Sequence, residues 1–137
     1  MTEAESDGDA MCAAAFAAMQ RAYAPYSNFR VGAALRSTHG SVFLGCNVEN
    51  AAFSSGICAE RGALMTAVAQ GVRDFDYLVV ATEASEPVAP CGACRQMLEE
   101  FSPDLRILSC TAAGAQERWT LADLLPHPFT ARSMDRA

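Results

Sequence analysis

Short apolar runs bounded by turn residues alternate in this chain with longer stretches of helical period, which predicts a mixed α/β layer structure. From about Met11 to Tyr23 an alanine-rich stretch carries Phe16 and Met19 on one face. It reads as a helix capped by Asp9 and ended by Pro25. Val31 to Leu35 and Val42 to Cys46 read as two strands, joined by a hairpin loop at Ser37-Thr38-His39-Gly40. Ser54-Ser55-Gly56 breaks the pattern before a second helix, about Cys58 to Gln70, which Gly71 stops. Tyr77 to Ala81 is apolar almost throughout and short enough for a buried strand. A loop through Pro87 and Pro90 leads to a third helix, Cys91 to Phe101, and then to a strand from Arg106 to Cys110. Past a turn at Gly114 come an edge strand around Trp119 and a helical turn or two from Leu121 to Leu125, before Pro126. The early hairpin makes the sheet mixed. Residues 1–137 read as one domain, with 1–8 and 131–137 as loose termini.

Charge narrows the partners. The formal net charge is -6 and no basic block interrupts it, which disfavours nucleic acid and anionic membranes and suits a small neutral substrate. No apolar run is long enough to span a bilayer, and the acidic start lacks a signal-peptide pattern. The expectation is a cytoplasmic, reducing environment, in which six cysteines are not a disulfide framework. Cys12, Cys46 and Cys110 sit singly in apolar segments and read as small buried hydrophobes.

The other three cysteines fall at predicted helix starts: Cys58 opens the second helix, and Cys91 and Cys94 open the third. Unpaired N–H groups there stabilise thiolates and donate to metal-bound sulfur. Cys91 and Cys94 are one turn apart and can point the same way. If the two helix starts lie side by side, three thiolates converge and leave a fourth zinc position open, as in a catalytic site. Glu60, on the first turn beside Cys58, is a candidate proton carrier, or else an acid that suits the helix dipole. Arg61 is spaced to donate to ligand sulfur and offset the thiolate excess, or else is a surface arginine. Cys58-Ala59-Glu60 followed by Pro90-Cys91-Gly92-Ala93-Cys94 matches the zinc deaminase signature in which cysteine replaces the first histidine.

Further segments extend the match. Tyr26-Ser27-Asn28-Phe29-Arg30-Val31-Gly32-Ala33-Ala34-Leu35, Gly45-Cys46-Asn47-Val48-Glu49-Asn50-Ala51, Ile57 to Arg61, Pro90 to Gln96 and Leu124-Leu125-Pro126 run in one order over most of the chain. In these the sequence resembles the small, homotetrameric, zinc-dependent cytidine deaminases of pyrimidine salvage. The resemblance implies a three-layer α/β/α sandwich with a mixed five-stranded sheet and one zinc ion per chain. It implies Phe29 packing on the pyrimidine, Asn47 and Glu49 on the ribose hydroxyls, and a backbone contact from Ala59. Ala51, Phe53 and Phe129 correspond to positions that reach a neighbouring subunit's site. By themselves, Phe29 is equally a core residue and Asn47 and Glu49 a solvated edge. Phe53 departs from the family's usual tyrosine, Ser54-Ser55 from a more apolar pair, and Gly62 from threonine or serine.

The activity implied is hydrolysis of cytidine and deoxycytidine to uridine and deoxyuridine plus ammonia, by a zinc-activated water with Glu60 moving the protons. Glu49 near the sugar disfavours a phosphate there, which points to the nucleoside. Three other readings stand beside it. Cys46 or Cys110 as a fourth ligand would close a structural zinc site, Cys91-Gly92-Ala93-Cys94 resembles a thiol-redox motif, and a blasticidin-type deaminase would share the zinc signature.

Overall fold

The computed structural model describes residues 3–135. The chain runs through α1 (Glu3–Met19), β1 (Val31–Ser37), β2 (Val42–Cys46), α2 (Ala59–Ala69), β3 (Phe75–Thr82), α3 (Gly92–Phe101), β4 (Arg106–Thr111), β5 (Gln116–Thr120) and α4 (Leu121–Leu124). The strands form one five-stranded sheet in the order β2-β1-β3-β4-β5. β3 and β4 pair in parallel across the α3 crossover, and every other pairing is antiparallel. Two antiparallel steps bring β2 into the same direction as β3 and β4, so all three end at one edge of the sheet.

Alternation along the strands sorts side chains between two faces. Ala34, Tyr77, Val79, Ala81, Leu108 and Cys110 pack beneath Met11, Cys12 and Ala15 of α1. Ala33, Leu35, Phe43, Leu78, Val80 and Ile107 meet Ala59, Ala63, Leu64 and Ala67 of α2 and Leu98 of α3 on the opposite face. The result is the expected α/β/α sandwich with a mixed sheet.

Most elements lie within a residue or two of the expected ones. The main difference is α1, which begins at Glu3 rather than near Met11, so Asp9 lies inside the helix and caps nothing. Tertiary docking overrides the polar composition there. Gly8 is buried, and a Cβ on it would meet Leu108 and the Tyr77 hydroxyl at 3.3 Å, while Asp7 Oδ2 pairs with Arg36 Nη1 at 3.2 Å. The helix also ends at Met19, ahead of Tyr23, whose N–H donates to Asn47 O at 3.0 Å. At the other terminus Ala131–Met134 forms a 3-10 turn where a loose tail was expected. The rest of the two expected loose termini, residues 1–2 and 136–137, lies outside the described residues.

Two glycines set how closely helices approach the sheet, on opposite faces. A Cβ on Gly32 would stand 1.9 Å from Ala15 O of α1, and one on Gly45 would stand 2.2 Å from Ala59 O of α2. Neither backbone could hold its place. Gly62 differs: its Cβ would meet only ordinary contacts, the nearest being Cys46 O at 3.6 Å. The departure at Gly62 is therefore a loss of helix propensity without a packing reason. Gly45→Ala should destabilise the protein by at least about 2 kcal/mol through overpacking. Gly62→Ala should stabilise it by about 0.5–1 kcal/mol. Denaturant midpoints of the two variants, shifting in opposite directions, check this.

Candidate active site

The shared edge at which β2, β3 and β4 end receives both helix starts. α2 begins a loop after β2, and α3 begins a loop after β3. Cys58 is the N-cap of α2 and Cys91 the N-cap of α3, both with extended backbone, and neither side chain caps its own helix. The two sulfurs are thus left for other partners. Cys94 lies one turn into α3 and is fully buried. Arg95 holds the approach to α3: its Nε donates to Pro90 O at 2.6 Å and its Nη1 to Leu124 O at 2.9 Å.

The three sulfurs lie within 4.8 Å of one another, Cys58 to Cys91 at 4.0 Å and Cys91 to Cys94 at 3.5 Å. Tetrahedral zinc with Zn–S bonds of about 2.3 Å requires sulfurs about 3.8 Å apart. The donor set therefore fits the ion in chemistry and in spacing. Among the described residues no fourth histidine, cysteine or acid joins the group. Cys46 pairs with Gly32, whose missing Cβ points at α1, and Cys110 packs in the layer beneath α1, so both face away from the three thiols. A thiol-redox site is also hard to reconcile with a third sulfur in the same cluster.

Charge around the thiols is uneven. Hydrogen bonding from the Cys94 thiol, followed by the Arg61 guanidinium, lowers Cys58 to about 5 against the opposing effect of burial. That thiolate, together with burial, holds Cys94 well above the usual thiol range. Arg61 Nη2 lies 3.7 Å from Cys58 Sγ and 3.3 Å from Gly56 O, and its buried Nε has no partner among the described residues. Three thiolates would exceed the charge of a zinc dication by one, and the Arg61 guanidinium stands beside them as a positive charge.

Glu60 is 6% exposed on the first turn of α2. Burial, and then the Cys58 thiolate, keep its carboxyl above the ordinary range. It opens into a cavity of about 190 Å³ together with Val31, Asn47, Cys58, Ala59, Val80, Thr82, Val88, Ala89 and Cys91. A thiol cluster, a carboxylic acid and an apolar wall thus share one small space at the carboxyl ends of the strands, the usual place for a ligand in such sheets.

A model of the cytidine and deoxycytidylate deaminase zinc-binding region matches residues 5–110. A cytidine deaminase of Sporosarcina psychrophila is 44% identical over 121 residues, covering 88% of this chain and 89% of its own. The chain belongs to the cytidine deaminase family. Another relative, the cytidine deaminase of Halalkalibacterium halodurans, is 43% identical over 122 residues, 88% of this chain and 92% of that one. The crystal structure of cytidine deaminase from Burkholderia pseudomallei superposes with a TM-score of 0.86 at 46% identity, over 94% of this chain and all of that one. Zinc binding, inferred above from the sulfurs, is a property of this deaminase family.

The remaining candidate residues separate into two groups. Asn47 lines the cavity just beyond β2 and is bonded on both sides: Oδ1 accepts from Val31 N at 2.9 Å, and Nδ2 donates to Phe29 O at 2.8 Å. Glu49 borders a neighbouring cleft of about 360 Å³ with Tyr26, Ser27, Asn50, Phe53 and Gly56. Neither is a free solvated edge; both hold the loop that carries Phe29. Ala51, Phe53 and Phe129 are exposed and lie outside the Glu60 cavity, with Phe53 79% exposed and edge-on to Tyr26 at 6.0 Å. Thr82, Val80 and Val88 line the site without having been singled out in the sequence. Their only signal was position, at and beyond the carboxyl end of a buried strand.

Cys46→Ala and Cys110→Ala should each retain one zinc per chain, whereas Cys58→Ala, Cys91→Ala and Cys94→Ala should each lose it. Metal analysis of the purified variants checks this directly, and zinc lost from either of the first two would restore the structural-site reading.

Proposed function

We propose that this chain hydrolytically deaminates cytidine and deoxycytidine, giving uridine and deoxyuridine plus ammonia, as a step in pyrimidine salvage. The observation that carries the reading is Glu60, buried in the same cavity as Cys58 and Cys91 and unable to reach bulk solvent freely. Bound by Cys58, Cys91 and Cys94, zinc would supply a Lewis acid that makes water nucleophilic near neutral pH. Glu60 takes the proton from the attacking water and delivers it to N3 of the ring, which makes C4 more electrophilic. Glu60, again a carboxylate, then takes the proton of the new C4 hydroxyl and passes it to the amine; the C4–N bond breaks, ammonia leaves and the C4 carbonyl forms. A carboxyl raised by burial suits this alternation, because it accepts and releases protons closer to neutrality.

Phe29 is assigned to the pyrimidine, Asn47 and Glu49 to the sugar, and the Ala59 backbone to the base. Arg61 tempers the thiolates. Ser27 holds Glu49 below the ordinary carboxylate range, so the group is an anion at neutral pH. A nucleotide phosphate would meet that charge, which favours the nucleoside. Ala51, Phe53 and Phe129 are assigned to a neighbouring subunit's site in a homotetramer. The exposure of two large phenyl groups supports this assignment. Among the described residues no helix is long and apolar enough to cross a membrane, and a cytoplasmic location is part of the same proposal.

Glu60→Gln should keep zinc and fold while losing more than about 99% of turnover, the scale expected of a lost general acid–base group. Loss of cytidine absorbance, with cytidine monophosphate and blasticidin S run in parallel, tests both residue and substrate; wild-type turnover in the variant would refute the assignment. Sedimentation combined with activity measurements should show activity falling as the assembly is diluted to monomers. A fully active monomer would remove the neighbouring-subunit roles.

A further inference from the structure

The loop between α1 and β1 carries Phe29, and one small side chain within it joins two parts of the site. Ser27 Oγ donates to Glu49 Oε2 and at the same time accepts from Phe29 N at 3.0 Å. Two backbone groups add to the anchorage, with Tyr26 N and Ser27 N donating to Glu49 Oε1 at 2.9 and 3.1 Å. Asn28 between them has φ +57°, a left-handed conformation that asparagine tolerates better than most residues. Its N–H closes the turn on Ala24 O at 3.0 Å. The Phe29 peptide is thereby gripped at both ends by side chains, its N–H by Ser27 and its carbonyl by Asn47 at 2.8 Å.

No strand ladder holds this segment, because β1 begins only at Val31. Phe29 and Ser27 are both exposed, so water competes with each of these bonds. The direction of the Phe29 ring therefore depends on a few side-chain hydrogen bonds, of which the Ser27 hydroxyl makes two.

We propose that Ser27 is a positioning residue: its hydroxyl sets the Phe29 peptide, and through it the ring that packs on the pyrimidine, while tying that peptide to Glu49 at the sugar. The inference rests on the assignment of Phe29 to the base. One carboxylate then serves both halves of the nucleoside. It meets the sugar directly, and it aligns the base-stacking ring through Ser27. Removing the hydroxyl weakens ground-state binding and leaves the proton chemistry at Glu60 in place.

The test is steady-state kinetics of the zinc-loaded protein with cytidine. Ser27→Ala should raise KM by about three- to tenfold, the range of one or two lost hydrogen bonds, and keep kcat within about twofold. Ser27→Thr, which keeps the hydroxyl, should restore KM. In a Phe29→Ala background the Ser27→Ala change should raise KM by clearly less than in the wild type, because the part carried by that ring is already lost. An unchanged KM in Ser27→Ala, a loss confined to kcat, or an equal effect in both backgrounds would overturn the proposal. Phe29→Ala with a normal KM would instead remove the assignment of Phe29 to the base, a separate failure that the cycle identifies by itself. Should Ser27→Ala not fold, Ser27→Cys, with its weak hydrogen-bonding thiol, carries the same comparison.

Discussion

The contact between α2 and β2 governs the geometry of the whole site. Gly45 lets Ala59 O and Ala63 N come to where a Cβ would stand, at 2.2 and 2.5 Å, so the helix lies directly on the strand backbone. That approach fixes the first turn of α2 against the sheet, and Cys58, Ala59, Glu60 and Arg61 all belong to that turn or its cap. A side chain at position 45 would lift the turn and with it Cys58, whose sulfur lies 4.0 Å from that of Cys91. The zinc donors thus depend on a residue that touches none of them. α3 has no such constraint on its own strand; its start is held instead by Arg95 bonding to Pro90 O and Leu124 O.

Much of this was legible in the chain. Period and turn residues located every strand, and Cys-x-x-Cys with a second cysteine–glutamate pair located the chemistry, because few residue combinations serve both a thiolate site and a buried acid. Two things were not legible. Residues 3–8 are polar and acidic, yet belong to α1; nothing local reveals that Gly8 will sit against Leu108 and Tyr77, or that Asp7 will find Arg36 across the layer. The assignment of Asn47 and Glu49 to the sugar rests on the family resemblance alone. Their bonds to Val31 N, Phe29 O and the Ser27 hydroxyl are long-range contacts that no periodicity encodes.

The two ends of the site are built from different materials. At the metal end, Cys94 and Glu60 are buried, and their neighbours are helix starts pinned to the sheet. At the end assigned to the nucleoside, the parts are loops held by exposed side-chain hydrogen bonds, with which water competes. Substitution at the first end changes several groups at once, since Cys58, Cys94 and Glu60 are electrostatically linked. Substitution at the second end removes a few exposed hydrogen bonds and leaves the buried helix starts untouched. The departures Phe53 and Ser54-Ser55 fall at the second end, on an exposed 3-10 turn beside Tyr26.

On the proposed assignment, the absence of a tyrosine hydroxyl at position 53 bears on affinity rather than on the proton transfers. Phe53 lies outside the cavity that holds Glu60, and its ring leans on Tyr26, the residue next to Ser27. Any shift of Phe53 would reach Phe29 through the Tyr26–Ser27–Glu49 bonds, while its route to Cys58 passes through Gly56, whose carbonyl Arg61 already holds at 3.3 Å. The Phe29 route consists of exposed hydrogen bonds, whereas the Cys58 route ends on a buried helix start. A perturbation at position 53 is therefore absorbed by the loop before it reaches the metal, and substrate preference in this chain can change without disturbing the thiolate site.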